Sequence, residues 1–266
     1  MINLIKLDFE NCFRSVKFRL CFLFLYCISI FSFLTVSIMT YKQSSLQLNF
    51  TYKMGIIQGV GQRSVFQLIL LLLPLITCGI YSDSFIYERD KNIISHYLTR
   101  TCKLKYFISK IFSIFIIVFF SIFFVLSINE LLIFLEIPNI GVNHGYGITV
   151  YQLKSDADSF FLSSIYTAHP YLYNYLLILI TSLYAALVAV IGFNISLLFH
   201  MKKITLYIYM FLGVHLISFI LPEQFQIYNY IQSIPGTFKN FVITLIGWIA
   251  IAFISGVIGI FKEINK

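Results

Sequence analysis

Residues able to do chemistry are scarce in this chain, and most of the charged ones stand together. Asp83 to Lys110 (DSFIYERDKNIISHYLTRTCKLKYFISK) carries six of the nineteen basic residues, whereas residues 64–82 and 111–129 on either side hold no charge. Within it Glu88, Arg89, Asp90 and Lys91 are consecutive. Such a row forms ion pairs and charge-assisted hydrogen bonds, the chemistry of anchoring and docking rather than of bond cleavage. Bond-breaking arrangements are missing. No G-x-x-x-x-G-K-[ST] is present to cradle ATP phosphates, and no H-E-x-x-H to hold zinc. The histidines, His96, His144, His169, His200 and His215, lack metal-ligand spacing. No catalytic, cofactor-binding or metal-binding residue is therefore expected.

Two further ionisable residues fall within apolar runs, Glu130 and His215. A polar group inside a membrane is a functional candidate by default. Glu130 follows Asn129 near the end of its run, where a long side chain is expected to reach the outer interface. For His215, mid-way along its run, the expected partner is a neighbouring helix.

The elements that must position these residues are membrane helices. With 59% hydrophobic and 11% charged residues and a mean hydropathy of +0.87, the chain is far from the roughly 25% charge of soluble domains. The expected fold is all-α and integral to a membrane, with residues 1–266 forming one transmembrane domain. Six runs can cross a hydrocarbon core of about 30 Å, at roughly 20–41, 64–82, 111–135, 171–199, 204–221 and 240–261. The first is too long for a secretory signal peptide. Cys12, Cys21, Cys27, Cys78 and Cys102 imply no disulfide framework.

Basic residues set the orientation. Four lie in 1–19, six in 83–110, two in 200–203 and two in 262–266. The opposite connections hold Lys42, Lys53, Arg63, Lys154 and Lys239. Fourteen against five places both termini and the 83–110 stretch in the cytoplasm, and the net charge of +8 is thereby explained by orientation in a lipid bilayer and not by nucleic acid.

Local patterns refine the picture. Ile2, Ile5, Phe9, Phe13, Val16 and Leu20 recur at steps of three and four, which predicts an interfacial helix leading into the first span. Ile86, Ile93, Ile94, Tyr97 and Leu98 oppose Lys91, Asn92, Ser95 and Thr99, which predicts a short amphipathic helix with Asp90 capping its start. Tyr146, Tyr151, Tyr166, Tyr171, Tyr173 and Tyr175 suggest an interfacial belt. Ser182, Ala185, Ala189, Gly192 and Ser196 form a small-residue face for close helix packing, with a weaker pair at Ser255 and Gly259. Residues 222–239 are too polar to cross and are expected to dip into the outer leaflet.

The cluster Glu88-Arg89-Asp90 after the second span, followed by Thr99-Arg100, Lys103, Tyr106 and Lys110 opening the third, resembles the permease subunits of ABC-2 type transporters. Lys91-Asn92 stands where that family often has Gly-Thr. The resemblance implies that 1–19 is an elbow helix and that the 83–110 loop is a coupling helix contacting an ATP-hydrolysing subunit. Its coupling residues would be Glu88, Arg89, Asp90, Lys91, Asn92, Ser95 and Arg100. It implies further that ATP and Mg belong to that partner and that a second permease subunit pairs through the first and fifth spans. The substrate class would be an amphipathic peptide or lipid-like molecule, as in peptide-antibiotic export or bacteriocin immunity. The competing expectation, an ion-coupled secondary transporter, calls for ionisable groups near the midplane and repeat symmetry; the sequence offers His215 and little else, and no clear repeat.

Overall fold

A computed structural model describes residues 2–41, 51–99, 101–136, 161–199, 201–231 and 237–265. These residues form helices and connecting turns, with no strand among them. Helix α1 is Ile2–Arg14 and α2 is Val16–Thr40; α3 is Arg63–Thr77 and continues through a wide π turn, Cys78–Ser82. The short helices α4 (Ser84–Asp90) and α5 (Ile93–Leu98) precede α6 (Lys103–Glu136). After α7 (Ser163–Ala168) come α8 (Pro170–Leu198), α9 (Lys203–Ile220), α10 (Ile227–Ile231) and α11 (Phe238–Ile264). Six helices, α2, α3 with its π turn, α6, α8, α9 and α11, are long and apolar enough to cross a membrane. The multi-pass architecture expected from hydropathy is present.

Helix α8 is the central post, buried along most of its length and flanked by α6 and α11. The small-residue face explains why. Ser182, Ala185, Ala189, Gly192 and Ser196 are all buried, and their short side chains let neighbouring backbones come close. Asn194 on α8 donates from Nδ2 to the Ala252 carbonyl (2.8 Å) and to Ser255 Oγ (3.1 Å). The facing glycines on α11 are Gly256 and Gly259; a Cβ at Gly259 would stand 3.1 Å from Leu197 Cβ. Leu20, Leu23, Phe31, Phe120, Phe219 and Phe253, by contrast, point away from the protein. Apolar surface of that kind is matched to lipid tails.

Three expectations change on contact with the structure. The N-terminal periodicity does not run as one helix into the first span. Ser15 leaves the helical region (φ −70, ψ 132) and its Oγ accepts from the Phe18 N–H at 3.2 Å, capping α2 afresh. The amphipathic helix after the second span is likewise two helices. Asn92 adopts a left-handed φ of 54, a conformation that asparagine tolerates better than most residues, so Asp90 ends α4 instead of capping a helix start. The tyrosine belt is partly an interior cluster. Tyr173 and Tyr166 are buried with ring centroids 5.3 Å apart, and Tyr52 meets Tyr166 edge-on, whereas Tyr175 is exposed. Tyr146 and Tyr151 lie outside the described residues. In the 222–239 segment Ile227, Tyr230 and Ile231 of α10 are buried against α8 and α11.

The cysteines are free. Cys12 is buried against the Ile80 carbonyl, and burial pushes its thiol up to about 12. A shift in that direction depletes the thiolate, the reactive species. Maleimide treatment of the folded protein followed by peptide mass spectrometry should therefore label the exposed Cys27 and Cys102 and leave Cys12 unmodified until denaturation.

Candidate functional site

The charged residues after the second span sit over a buried ion cluster that draws on three separate parts of the chain. Helix α6 begins at Lys103, earlier than hydropathy alone suggests, so Tyr106 and Lys110 share one face of it at a spacing of four. That face is covered by α1 and by the end of the second span. Lys110 is completely buried. Its ammonium donates to Asp8 Oδ1 (2.7 Å) on α1, to Tyr81 Oη (3.2 Å) in the π turn and to Glu88 Oε1 on α4. All three N–H donors of a lysine are thus used. The Tyr81 hydroxyl donates a hydrogen bond to Asp8 Oδ1 at 3.0 Å, and the Tyr106 hydroxyl donates to Glu88 Oε2.

This degree of pairing is what makes the burial tolerable. Removing an ammonium and two carboxylates from water costs several kcal/mol per ion, and the mutual attraction offsets it only when the remaining lone pairs and protons are satisfied. Asp8 and Glu88 are 5% and 6% exposed, so neither can be answered by solvent. The cluster ties α1, the second span, α4 and the third span into one unit. A second ion pair, Lys17 with the buried Asp83, joins the start of α2 to the head of α4.

Outside this unit the sequence candidates divide. Glu88 is an interior group and not part of an exposed pair with Arg89. Arg89 turns the other way, donating from Nη2 to the Met201 carbonyl at 3.0 Å, between the fourth and fifth spans. Its Nε lies 3.7 Å from Asp90. Asp90, Lys91 and Asn92 are exposed. Ser95 is in α5, but its side chain and the whole of Arg100 lie outside the described residues. Lys103 donates to the carbonyls of Ile264 (3.3 Å) and Glu263 (3.5 Å), holding the C-terminal helix to the same end. The signal for Asp8 and Lys110 was there to be used: Asp8 falls four residues before Cys12, on the face that also carries Ile5, and Lys110 four after Tyr106.

Neither a family model, nor a curated protein, nor a solved structure matches this chain. What it does is read from its own geometry.

The two intramembrane candidates are far apart in character. Glu130 does not reach the interface as its position near a span end suggested; it is buried, and Asn174 on the fourth span donates to it. The reason is Gly55, whose missing side chain leaves room for the carboxyl group: a Cβ there would overlap Glu130 Oε2. Next to it Asn129 accepts from the Ile56 N–H (3.1 Å) and donates to the Ser29 carbonyl (2.9 Å), and Asn174 donates to the Tyr52 carbonyl (2.9 Å). The segment 51–57 is thereby held to the first, third and fourth spans. His215 is half-buried and donates from Nε2 to the Leu71 carbonyl at 3.0 Å, a bond between the fifth and second spans. Among the described residues no group of three His, Cys, Asp or Glu side chains could hold a metal ion.

Proposed function

We propose that the chain is the membrane-spanning permease subunit of an ATP-driven exporter of the ABC-2 type, moving an amphipathic peptide or lipid-like substrate. The observation that carries this reading is the attachment of α4 through Glu88 to Lys110 and Asp8, while Lys91 and Asn92 beside it remain exposed. A force applied to the exposed corner between α4 and α5 is delivered through a stiff ionic joint to α1 and to the second and third spans at once. That is the mechanical requirement of a coupling helix. In this reading α1 is the elbow helix, and Asp90, Lys91, Asn92, Ser95 and Arg100 meet the ATPase, with Glu88 and Arg89 transmitting. The protein sits in the cell membrane with both termini cytoplasmic, on the fourteen-to-five basic asymmetry. ATP and Mg belong to the ATPase partner, and a second permease copy, identical or related, covers the exposed apolar faces of the first and fifth spans.

Two measurements test it. With the other cysteines replaced, Cys102 should react with a membrane-impermeant maleimide in inverted vesicles and not in intact cells; labelling from outside would overturn the orientation. A photo-crosslinking amino acid at Lys91, activated in native membranes, should capture a protein that carries the P-loop signature absent here. A fully crosslinked species without a nucleotide-binding partner, or ATP hydrolysis by the purified chain alone, would sink the subunit reading. The buried Glu130 favours one alternative, an ion-coupled secondary transporter. That alternative requires transport driven by an ion gradient without nucleotide.

A further inference from the structure

A cavity of about 510 Å³ opens where α1 turns into α2, walled by the π turn of the second span and by α4 and α5. Its size is within the range of sites for small ligands, roughly 300–1,000 Å³. The walls are largely apolar and aromatic, with Ile80, Tyr87, Ile93 and Tyr97 among them. Polar side chains line it as well, and the two carboxylates among them are spoken for. Glu88 is engaged by Lys110 and Tyr106, and Asp83 by Lys17. Two remain open. Ser84 is 6% exposed, yet its hydroxyl has no hydrogen-bond partner among the described residues. The exposed Arg14 lines the same cavity, and its guanidinium has no hydrogen bond or ion pair among the described residues. Lys17 is 48% exposed on its side chain and keeps donors to spare beyond Asp83.

A buried hydroxyl without a partner costs free energy unless something else satisfies it. An acceptor able to serve Ser84, Arg14 and Lys17 together is an oxyanion with several oxygens. The neighbourhood says what it is attached to. Val16 and Leu20, exposed at 68% and 62%, continue from the same corner along the lipid-facing side of the first span. Acyl chains lying on that stripe would bring their headgroup level with Arg14 and Lys17, where basic side chains meet the membrane surface.

We propose that this cavity is a binding site for the headgroup of an anionic phospholipid, its phosphate held by Arg14, Lys17 and Ser84 and its tails running along Val16 and Leu20. The site is independent of the permease reading, since it needs neither an ATPase nor a transported substrate. Placed between α1 and α4, an occupied site fixes the corner that the Lys17 and Asp83 pair already spans.

The full-length protein, reconstituted in nanodiscs of phosphatidylcholine doped with a phosphatidylglycerol carrying a photoreactive group in its acyl chain, tests the proposal. Crosslinks mapped by peptide mass spectrometry should concentrate on the start of α2. They should fall roughly tenfold in Arg14→Gln and clearly in Ser84→Ala, the loss expected for a charge-assisted contact. Arg14 is exposed, so this variant folds normally, and an unchanged melting temperature confirms that the loss is local. Equal labelling by a photoreactive diacylglycerol, which lacks the phosphate, would overturn the proposal, as would equal labelling of both variants. Suppression of labelling by soluble glycerol phosphate would show a free-phosphate site and overturn the lipid assignment.

Discussion

Replacing Lys110 by Met is expected to destabilise the protein by about 3–5 kcal/mol, because it strands Asp8 and Glu88 as unpaired carboxylates in the interior. The size of the effect follows from an asymmetry. A complete ion cluster contributes little net stability, since desolvation consumes most of the Coulomb attraction, but an incomplete one keeps the desolvation cost and loses the attraction. The variant should accumulate poorly in membranes, and what is extracted should melt well below the parent and lose its sharp size-exclusion peak. The same logic predicts rescue. Lys110→Met combined with Asp8→Asn and Glu88→Gln removes all three charges together and should recover most of the lost stability. A melting temperature for Lys110→Met equal to the parent's would show that the cluster is not paired in the folded protein.

The cluster also changes which variant can separate coupling from folding. Glu88→Ala removes the acceptor for Tyr106 and Lys110 as well as the charge, so a loss of export would carry no information about the ATPase contact. Lys91, exposed at the same corner, is the position where a substitution leaves the interior untouched, whereas a change at Asn92 would strain the left-handed turn between α4 and α5. Arg89 is intermediate, because its bond to the Met201 carbonyl lies outside the ion cluster yet links α4 to the fourth and fifth spans.

How much of this was readable beforehand depended on whether the signal was local. The six long helices were, because twenty apolar residues without charge have few alternatives to a membrane span. So was the small-residue face of α8, where a period of three or four says that something packs there. The breaks at Ser15 and Asn92 were not. Each replaces a smooth helical period with a cap or a left-handed residue that costs little locally and is decided by how the flanking helices pack. In the sequence Lys110 stands at the end of a charged loop, and charge is normally a sign of exposure. Helical spacing puts Asp8 and Lys110 each on an inward face, but their pairing joins residues 8, 81, 88 and 110, and a window of twenty cannot connect them. Glu130 failed for the same reason from the other side. Its position near the end of an apolar run pointed outward, and only the fold brings Gly55 and Asn174 to it.

Gly55→Val should produce the other large effect, at the opposite end of the bundle. Gly55 is buried and needs its glycine for space alone, since its backbone does not adopt a positive φ. Any side chain there meets the Glu130 carboxyl group, which cannot retreat: Asn174 holds it on one side and the packed third and fourth spans close the other. Overpacking of this kind costs about 1–3 kcal/mol. Here it also pries the 51–57 segment away, which breaks the bonds of Asn129 to Ile56 and of Asn174 to Tyr52. The second mutation decides the mechanism. Glu130→Ala alone should destabilise, because it empties the site, but in the Gly55→Val background it should restore part of the loss by making room. Glu130→Gln, which keeps the volume and removes the charge, should restore nothing. Thermal unfolding of the four proteins in detergent gives the coupling energy, which for groups in direct contact falls at about 0.5–3 kcal/mol. Simple addition of the Gly55→Val and Glu130→Ala effects would mean that the two residues do not touch.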